Sequence, residues 1–269
     1  MASLRPLVIV FTLVTATAYA TTPPPFQRVL VPISVADVEG ANGSLWTAEL
    51  WAVNTTNEAV GVAALPCLLG EHGCASAFEL APGQTTKVTP LGNADYPGVL
   101  LQVPAHVANK VAFTLHVRDR NKQSESWGAE IPVVRDSGFF TGPAHLANVP
   151  FGSQYRQTLR LYALLELAPS ASFRVKMYEV TGARPDRLLR EDVVTLNRPP
   201  EPPPNRIGTP LGQIALTNMF LIEIAGVDRV RISIEPVTDP AALHPPAPYW
   251  AFVSITNNKT QQVTTVTPR

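Results

Sequence analysis

The sequence predicts an all-β protein made of two tandem antiparallel β-sandwich domains. Three observations predict this architecture. An alternating strand and a hairpin each occur twice, in the same order along the chain. In addition, 27 of the 269 residues are proline, about twice the usual share. Turn signals are frequent and segments of helical periodicity are few, which is typical of strands joined by turns.

The repeated strand is the clearer of the two echoes. GSLWTAELWAVN (43–54) returns as GSQYRQTLRLYA (152–163). In both copies the side chains alternate with period two, and the charged residues fall on the same face. β-branched and aromatic residues are plentiful, which favours a strand over a helix. Each copy is therefore predicted to be a half-buried strand, with Leu50 or Leu159 pointing inward.

The second echo is a hairpin. Segments 112–134 and 251–268 each contain an apolar strand, a polar turn (RNKQS or NNKTQ) and an alternating strand that ends near a proline. This order is typical of an antiparallel β-hairpin. Because both echoes occur in the same order, the sequence predicts a duplication. The alternative is a single large sandwich that contains two similar hairpins.

The duplication divides the chain after the leader into a first domain at 21–136 and a second at 137–269. The predicted strands of the first domain are 28–34, 44–54, 60–67, 76–81, 84–89, 98–103, 110–118 and 126–134. Those of the second are 154–167, 172–180, 188–196, 219–226, 229–237, 249–257 and 262–268.

Two connecting segments stand out. The junction RDSGFFTGPAHL (135–146) contains Phe139 and Phe140, which we expect to pack between the domains or in the second core. The run RPPEPPPN (198–205) has consecutive prolines, which donate no backbone hydrogen bond and fix φ. We expect an extended surface loop there. A docking ligand for an aromatic groove is the alternative.

The first twenty residues have the pattern of a signal peptide. Arg5 precedes the apolar run LVIVFTLV (7–14), and Ala18-Tyr19-Ala20 matches a cleavage site. The run is too short to span a bilayer as a helix, and no cysteine follows it to carry a lipid. We therefore expect secretion to the periplasm, the cell surface or the medium, with no transmembrane segment in the mature chain.

The charge balance bears on partners. The chain has 21 basic and 21 acidic residues, and loss of residues 1–20 removes one basic residue and no acid. A chain without a strong field of one sign is not expected to bind nucleic acid or an anionic membrane. A protein or a glycan at a surface is the expected partner, and the oligomeric state is left open.

The two cysteines, Cys67 and Cys74, lie in CLLGEHGC. In an oxidising compartment they are expected to form a disulfide, which would stabilise the fold by roughly 2.5 kcal/mol on the loop-entropy model. The alternative is a metal site that also uses His72, but this supplies only three ligands. We expect no metal and no cofactor.

The motifs VPI…GANGSLWTAELWAVN, LAPGQTTKV and YWAFVSITNNKTQQVTTVTP resemble tandem immunoglobulin-like repeats of secreted bacterial proteins, mostly of unassigned function. The resemblance covers most of residues 27–269, and it implies a fold and an extracytoplasmic setting. The Cys–Trp–Cys core of antibody domains is missing, since Cys67 and Cys74 are too close in sequence to bridge two sheets in that way. No catalytic residue is implied.

Motifs for catalysis are also missing from the sequence, which has no H-E-x-x-H pair, G-x-S-x-G elbow or P-loop. His116 is interpreted as a residue of a sheet face. Trp46, Trp127 and Trp250 are in phase with inward residues, which predicts core packing. Trp51 instead shares a face with Thr47 and Glu49, and is the candidate ligand contact.

We therefore expect a secreted, non-enzymatic structural or interaction module. Two alternatives remain from other classes. One is a carbohydrate-binding module that uses Trp51 as an exposed aromatic. The other is a hydrolase whose site is assembled from residues distant in sequence.

Overall fold

A computed structural model describes residues 25–33, 37–39, 43–65, 78–88, 98–122, 128–180, 186–199, 211–217, 226–238 and 244–268. The all-β prediction is confirmed, because these residues form eighteen strands with short 3₁₀ turns and no α-helix. All strand pairings are antiparallel.

Strands β1–β10 pair only with one another and form the N-terminal half. Their bounds are β1 Phe26–Val31, β2 Asp37–Glu39, β3 Leu45–Asn54, β4 Val60–Ala64, β5 Phe78–Leu80, β6 Thr85–Lys87, β7 Val99–Pro104, β8 Val111–Asp119, β9 Ala129–Ile131 and β10 Val134–Arg135. One sheet has the order β10-β1-β7-β4-β5. The other has the order β2-β3-β8-β9, and β6 pairs with β3 beside β2.

Strands β11–β18 form the C-terminal half in the same way. Their bounds are β11 Ala144–Pro150, β12 Tyr155–Leu164, β13 Ser170–Glu179, β14 Arg187–Asn197, β15 Leu211–Thr217, β16 Arg229–Pro236, β17 Tyr249–Asn257 and β18 Val263–Val266. The sheet orders are β11-β16-β13-β14 and β15-β12-β17-β18.

The strand order of one half repeats in the other. The run β1-β7-β4-β5 corresponds to β11-β16-β13-β14, and β6-β3-β8-β9 corresponds to β15-β12-β17-β18. The register of the central pair repeats as well, because Trp46 lies opposite Asp119 and Tyr155 lies opposite Asn257. The closing hairpins predicted from the second echo are present as β8–β9 and β17–β18.

In each half the inward faces of two sheets share an apolar core, which is the arrangement of a β-sandwich. The predicted inward residues Leu50 and Leu159 are buried, as are Ala48, Ala52 and Leu161. Fully burying one leucine stabilises a fold by about 2 kcal/mol. The alternation seen in the sequence therefore sets which face of β3 and β12 is covered.

The junction between the halves is also packed. Tyr162, Leu164, Trp250 and Phe252 point away from the C-terminal core and belong to the core cluster of the N-terminal half. The Tyr162 hydroxyl donates to the carbonyl of Pro32. One end of the N-terminal sandwich therefore sits on the outward face of the β12–β17 pair.

The phenylalanines of the junction behave as predicted. Both pack against the N-terminal core cluster, and Phe140 also packs against the C-terminal one. The Phe140 and Tyr249 ring centroids are 6.1 Å apart. Their backbones exchange hydrogen bonds of 2.8 and 2.9 Å.

Several predictions need correction, and others concern residues that the structure does not describe. Trp250 is buried as expected, but on the face that meets the N-terminal half rather than on the C-terminal interior, because β17 presents Tyr249 to that interior. Tyr162 shares the face of β12 that carries the charged residues, which was expected to point outward, yet it is fully buried by the other half. Strands β2, β10, β11 and β15 were not predicted. The leader 1–20, most of the strand at 219–226 and residues 200–205 of the proline-rich run lie outside the described residues.

Candidate functional site

The outward face of β3 and β8 is the candidate site, because it holds the predicted ligand contact. Trp51 lies on this face between Lys87 of β6 and Thr114 of β8, which are its backbone partners. Its side chain is half-buried. The ring is therefore neither a core residue nor a fully exposed platform, and part of it is accessible to a ligand.

Glu49 is the electrostatic centre of this face. Its carboxylate accepts a 2.8 Å hydrogen bond from Lys87 Nζ and lies 3.8 Å from the Arg118 guanidinium. The Lys87 hydrogen bond, the two nearby charges and a hydrogen bond from Trp51 together hold the pKa of Glu49 below its usual range, against the opposing effect of burial. Glu49 is therefore an anion at neutral pH.

His116 lies on the same face, directly opposite Glu49 across the β3–β8 pair. This confirms the interpretation of His116 as a sheet-face residue. Its Nδ1 atom is enclosed and has no hydrogen-bond partner in the described part of the chain. Since Glu49 already interacts with Lys87 and Arg118, it is a poor partner for a catalytic imidazole.

Asp37 closes one end of the face. It accepts hydrogen bonds from the Thr47 hydroxyl and, at 2.8 Å, from Arg120. The Thr47 hydrogen bond contributes most to holding the pKa of Asp37 below its usual range. Thr47 is buried although it lies on the outward face, because β2 covers this end of β3.

Sequence reasoning found Trp51 but missed the residues that surround it. The spacing of Glu49 two positions before Trp51 was a usable signal, since residues two apart share a face of a strand. Lys87 and Arg118 come from other strands, and only the pairing of β3 with β6 and β8 brings them to Glu49.

The remaining predicted sites are not tested by these residues. Cys67, Cys74 and Trp127 lie outside the described part of the chain. Trp46, by contrast, is described: it lies on the inward side of β3 but is only half-buried and is not part of the core cluster that was predicted for it. Within the described ranges, no three His, Cys, Asp or Glu side chains are grouped closely enough to hold a metal ion.

Comparison of this chain with models of known protein families, with curated proteins and with solved structures finds no match. In the portion of the chain with described structure, no helix is long and apolar enough to cross a membrane.

Proposed function

We propose that the chain is an exported, non-enzymatic binding protein made of two tandem immunoglobulin-like sandwiches, at 21–136 and 137–269. It acts in the periplasm, at the cell surface or outside the cell. The observation that carries the proposal is the repetition of strand order and register in the two halves. Such scaffolds present rigid sheet faces, on which small changes of side chain set what is bound.

A specific observation favours a glycan as the ligand of the N-terminal half. Trp51 is accessible in part, and Glu49, two residues before it on the same face, is fixed by Lys87 and Arg118. A ring that is already half-buried on a sheet loses little conformational entropy on binding. Sugar rings stack on aromatic faces while their hydroxyls bond to neighbouring charged groups, and this face supplies both.

Two measurements test the proposal. N-terminal sequencing of the exported protein is expected to begin at Thr21, and retention of residues 1–20 in a cytoplasmic product contradicts export. Screening the mature chain on a glycan array and on cell-envelope fractions tests the binding role. If neither surface retains it, the binding role is wrong.

The site itself is tested with Trp51→Ala. Glycan binding is expected to fall at least about tenfold, which corresponds to roughly 1.4 kcal/mol. The control is Tyr178→Ala, which removes a ring from the outward face of the other half, where Arg231 lies 4.2 Å from its centroid. Equal losses in both variants, or no loss in Trp51→Ala, reject the site.

A further inference from the structure

Two arginines on the C-terminal half lack the acid partners that such residues usually have. Arg156 and Arg160 are both half-buried on β12, and their side chains lie on the outward face with that of Tyr162. No ion pair between described residues involves either of them. Among the described residues, the Nε atom of Arg160 is enclosed without a hydrogen-bond partner, although the guanidinium lies close enough to the Tyr162 hydroxyl to oppose the rise in its pKa.

Several other half-buried cations on the sheet faces have an acid partner. In the N-terminal half Arg118 meets Glu49. In the C-terminal half Arg174 forms an ion pair with Glu191, with 3.0 Å between Nε and Oε1 but no hydrogen bond. Lys176 bonds Glu235 at 3.0 Å and Arg231 bonds Asp186 at 2.8 Å. An arginine that is partly desolvated and has no acid partner is costly. A bound anion would remove that cost.

The duplication makes the difference sharper. By strand register, Arg156 and Arg160 occupy the positions of Thr47 and Trp51 in the N-terminal half, and Thr158 occupies that of Glu49. The acid that balances the N-terminal face is thus a threonine in the other half. The outward face of β3 therefore carries both an acid and its basic partners, whereas the matching face of β12 carries Arg156 and Arg160 without an acid. We call this pair of arginines and the residues between them the Arg156–Arg160 strip.

A hydroxyl group lies beside the arginines on the neighbouring strand. Ser254, which is half-buried, lies opposite Thr158, whereas Thr256, opposite Arg156, is buried. On the neighbouring strand, Thr265 donates to the carbonyl of Glu130 in the N-terminal half at 3.4 Å. The N-terminal half therefore stands beside the strip, and an anion bound there would meet guanidinium forks and hydroxyl donors.

The spacing and surroundings indicate the kind of anion. Arg156 and Arg160 are four residues apart on a strand, or roughly 13 Å at about 3.3 Å per residue. A zero formal net charge gives no long-range attraction for a densely charged nucleic acid. Phe252 and Trp250, the apolar residues of this face, are covered by the other half, so an apolar anchor for a peptide is missing from the described strip.

We propose that the Arg156–Arg160 strip binds a polysaccharide that carries carboxylates on separate sugar units. A guanidinium binds a carboxylate through two parallel hydrogen bonds, and the half-buried Ser254 offers a hydroxyl to an intervening sugar. This inference rests on the proposed binding function, but it uses a different face from Trp51. The two sites can therefore fail separately.

The test is titration calorimetry of the mature chain with three acidic oligosaccharides: oligogalacturonate, oligoalginate and a hyaluronan fragment. Each is compared with its methyl ester, which keeps the sugar but removes the charge. At least one acid is expected to bind, with an affinity at least about tenfold above that of its ester. Arg156→Gln and Arg160→Gln are each expected to lose at least that factor.

The matched control is Arg174→Gln, which removes a paired arginine from the other sheet and is expected to bind as the wild type does. Arg160 lies beside the junction, so its variant is first checked for an unchanged unfolding midpoint. Arg156→Gln gives an independent result farther from the junction. The proposal is overturned if no acid binds, if the esters bind equally, or if all three variants behave alike. Tighter binding of poly-glutamate than of the sugars overturns it in favour of an acidic peptide.

Discussion

Replacing Tyr162 with phenylalanine tests whether the two halves are held together at a packed junction. Tyr162 is 1% exposed, and its hydroxyl donates to the carbonyl of Pro32, which is also buried. Phenylalanine preserves the ring, so its packing beside Trp250, at a centroid distance of 6.3 Å, is kept. What is lost is one buried hydrogen bond between the halves.

The magnitude follows from what the substitution leaves behind. A net hydrogen bond contributes about 1 kcal/mol, but a buried carbonyl left without a partner costs about 1–3 kcal/mol. We expect the free energy of unfolding to fall by about 2 kcal/mol. For a protein of this size, that corresponds to a decrease in melting temperature of roughly 4–8 °C.

Equilibrium urea unfolding followed by tryptophan fluorescence measures the loss, because Trp250 lies in the junction and reports its opening. The control is Tyr155→Phe on the same strand, whose hydroxyl has no hydrogen bond to any described residue; it is expected to change stability by less than about 0.5 kcal/mol. A Tyr162→Phe protein as stable as that control would show that the junction hydrogen bond is not formed in solution.

Two further predictions concern the same junction. Gly98→Ala should lower the free energy of unfolding by about 1–3 kcal/mol, because an added Cβ would lie 2.7 Å from the Tyr162 ring and from Gln213 Oε1. Urea unfolding measures the loss, and the control is Gly142→Ala, where an added Cβ has no atom within 4 Å. Equal losses in the two variants would refute the close approach at Gly98. Raising the pH should also destabilise the fold, because burial raises the pKa of Tyr162 to about 12 from an ordinary value of 10.0. The unfolded chain then ionises first, so stability present below pH 10 is lost as the pH rises towards 12, by about 2–3 kcal/mol. Tyr162→Phe should show a smaller loss between pH 9 and pH 12 in the same assay, and an identical loss would contradict the assignment.

Strands with one buried face were predictable from the sequence. In β3 and β12, Leu50 and Leu159 alternate with polar residues over the whole strand, so the period reports burial directly. Strand β11 was missed for a physical reason. Its register shifts between Leu146 and Val149, and Asn148 has a φ of 60°. A bulge of this kind breaks the alternation on which the prediction depends.

The hairpin echo was read in the right order but out of register. The shared Ala-Phe pair suggested that Ala112 corresponds to Ala251. Strand pairing instead sets Ala112, opposite Val53, in the position of Trp250, opposite Tyr162. A shift of one residue exchanges the two faces of a strand. In the correct register Trp250 lies on the same face as Tyr162, which is the face that meets the other half.

The candidate site was predictable only in part, because its charges are balanced by residues from separate strands. Trp51 and Glu49 are neighbours in the sequence pattern, whereas Lys87 reaches Glu49 from a strand 38 residues later. Nothing in the local pattern of β6 identifies that partner. The same limit applies to the junction. Tyr162 alternates in phase with the polar residues of its own strand, and it is buried only because a different part of the chain packs on it.

The junction and the divergence of the repeated face have a common cause. In an isolated sandwich the outward faces of β3 and β12 would both be solvated, and similar side chains would serve at matching positions. Packing one half on the other covers the Tyr162 end of β12 and leaves the Arg156 end open. Val53, the N-terminal counterpart of Tyr162, is only half-buried. One end of β12 is therefore part of the interface between the halves. The other end stays open and has arginines where β3 has Thr47 and Trp51. This open stretch is the part that can bind a ligand.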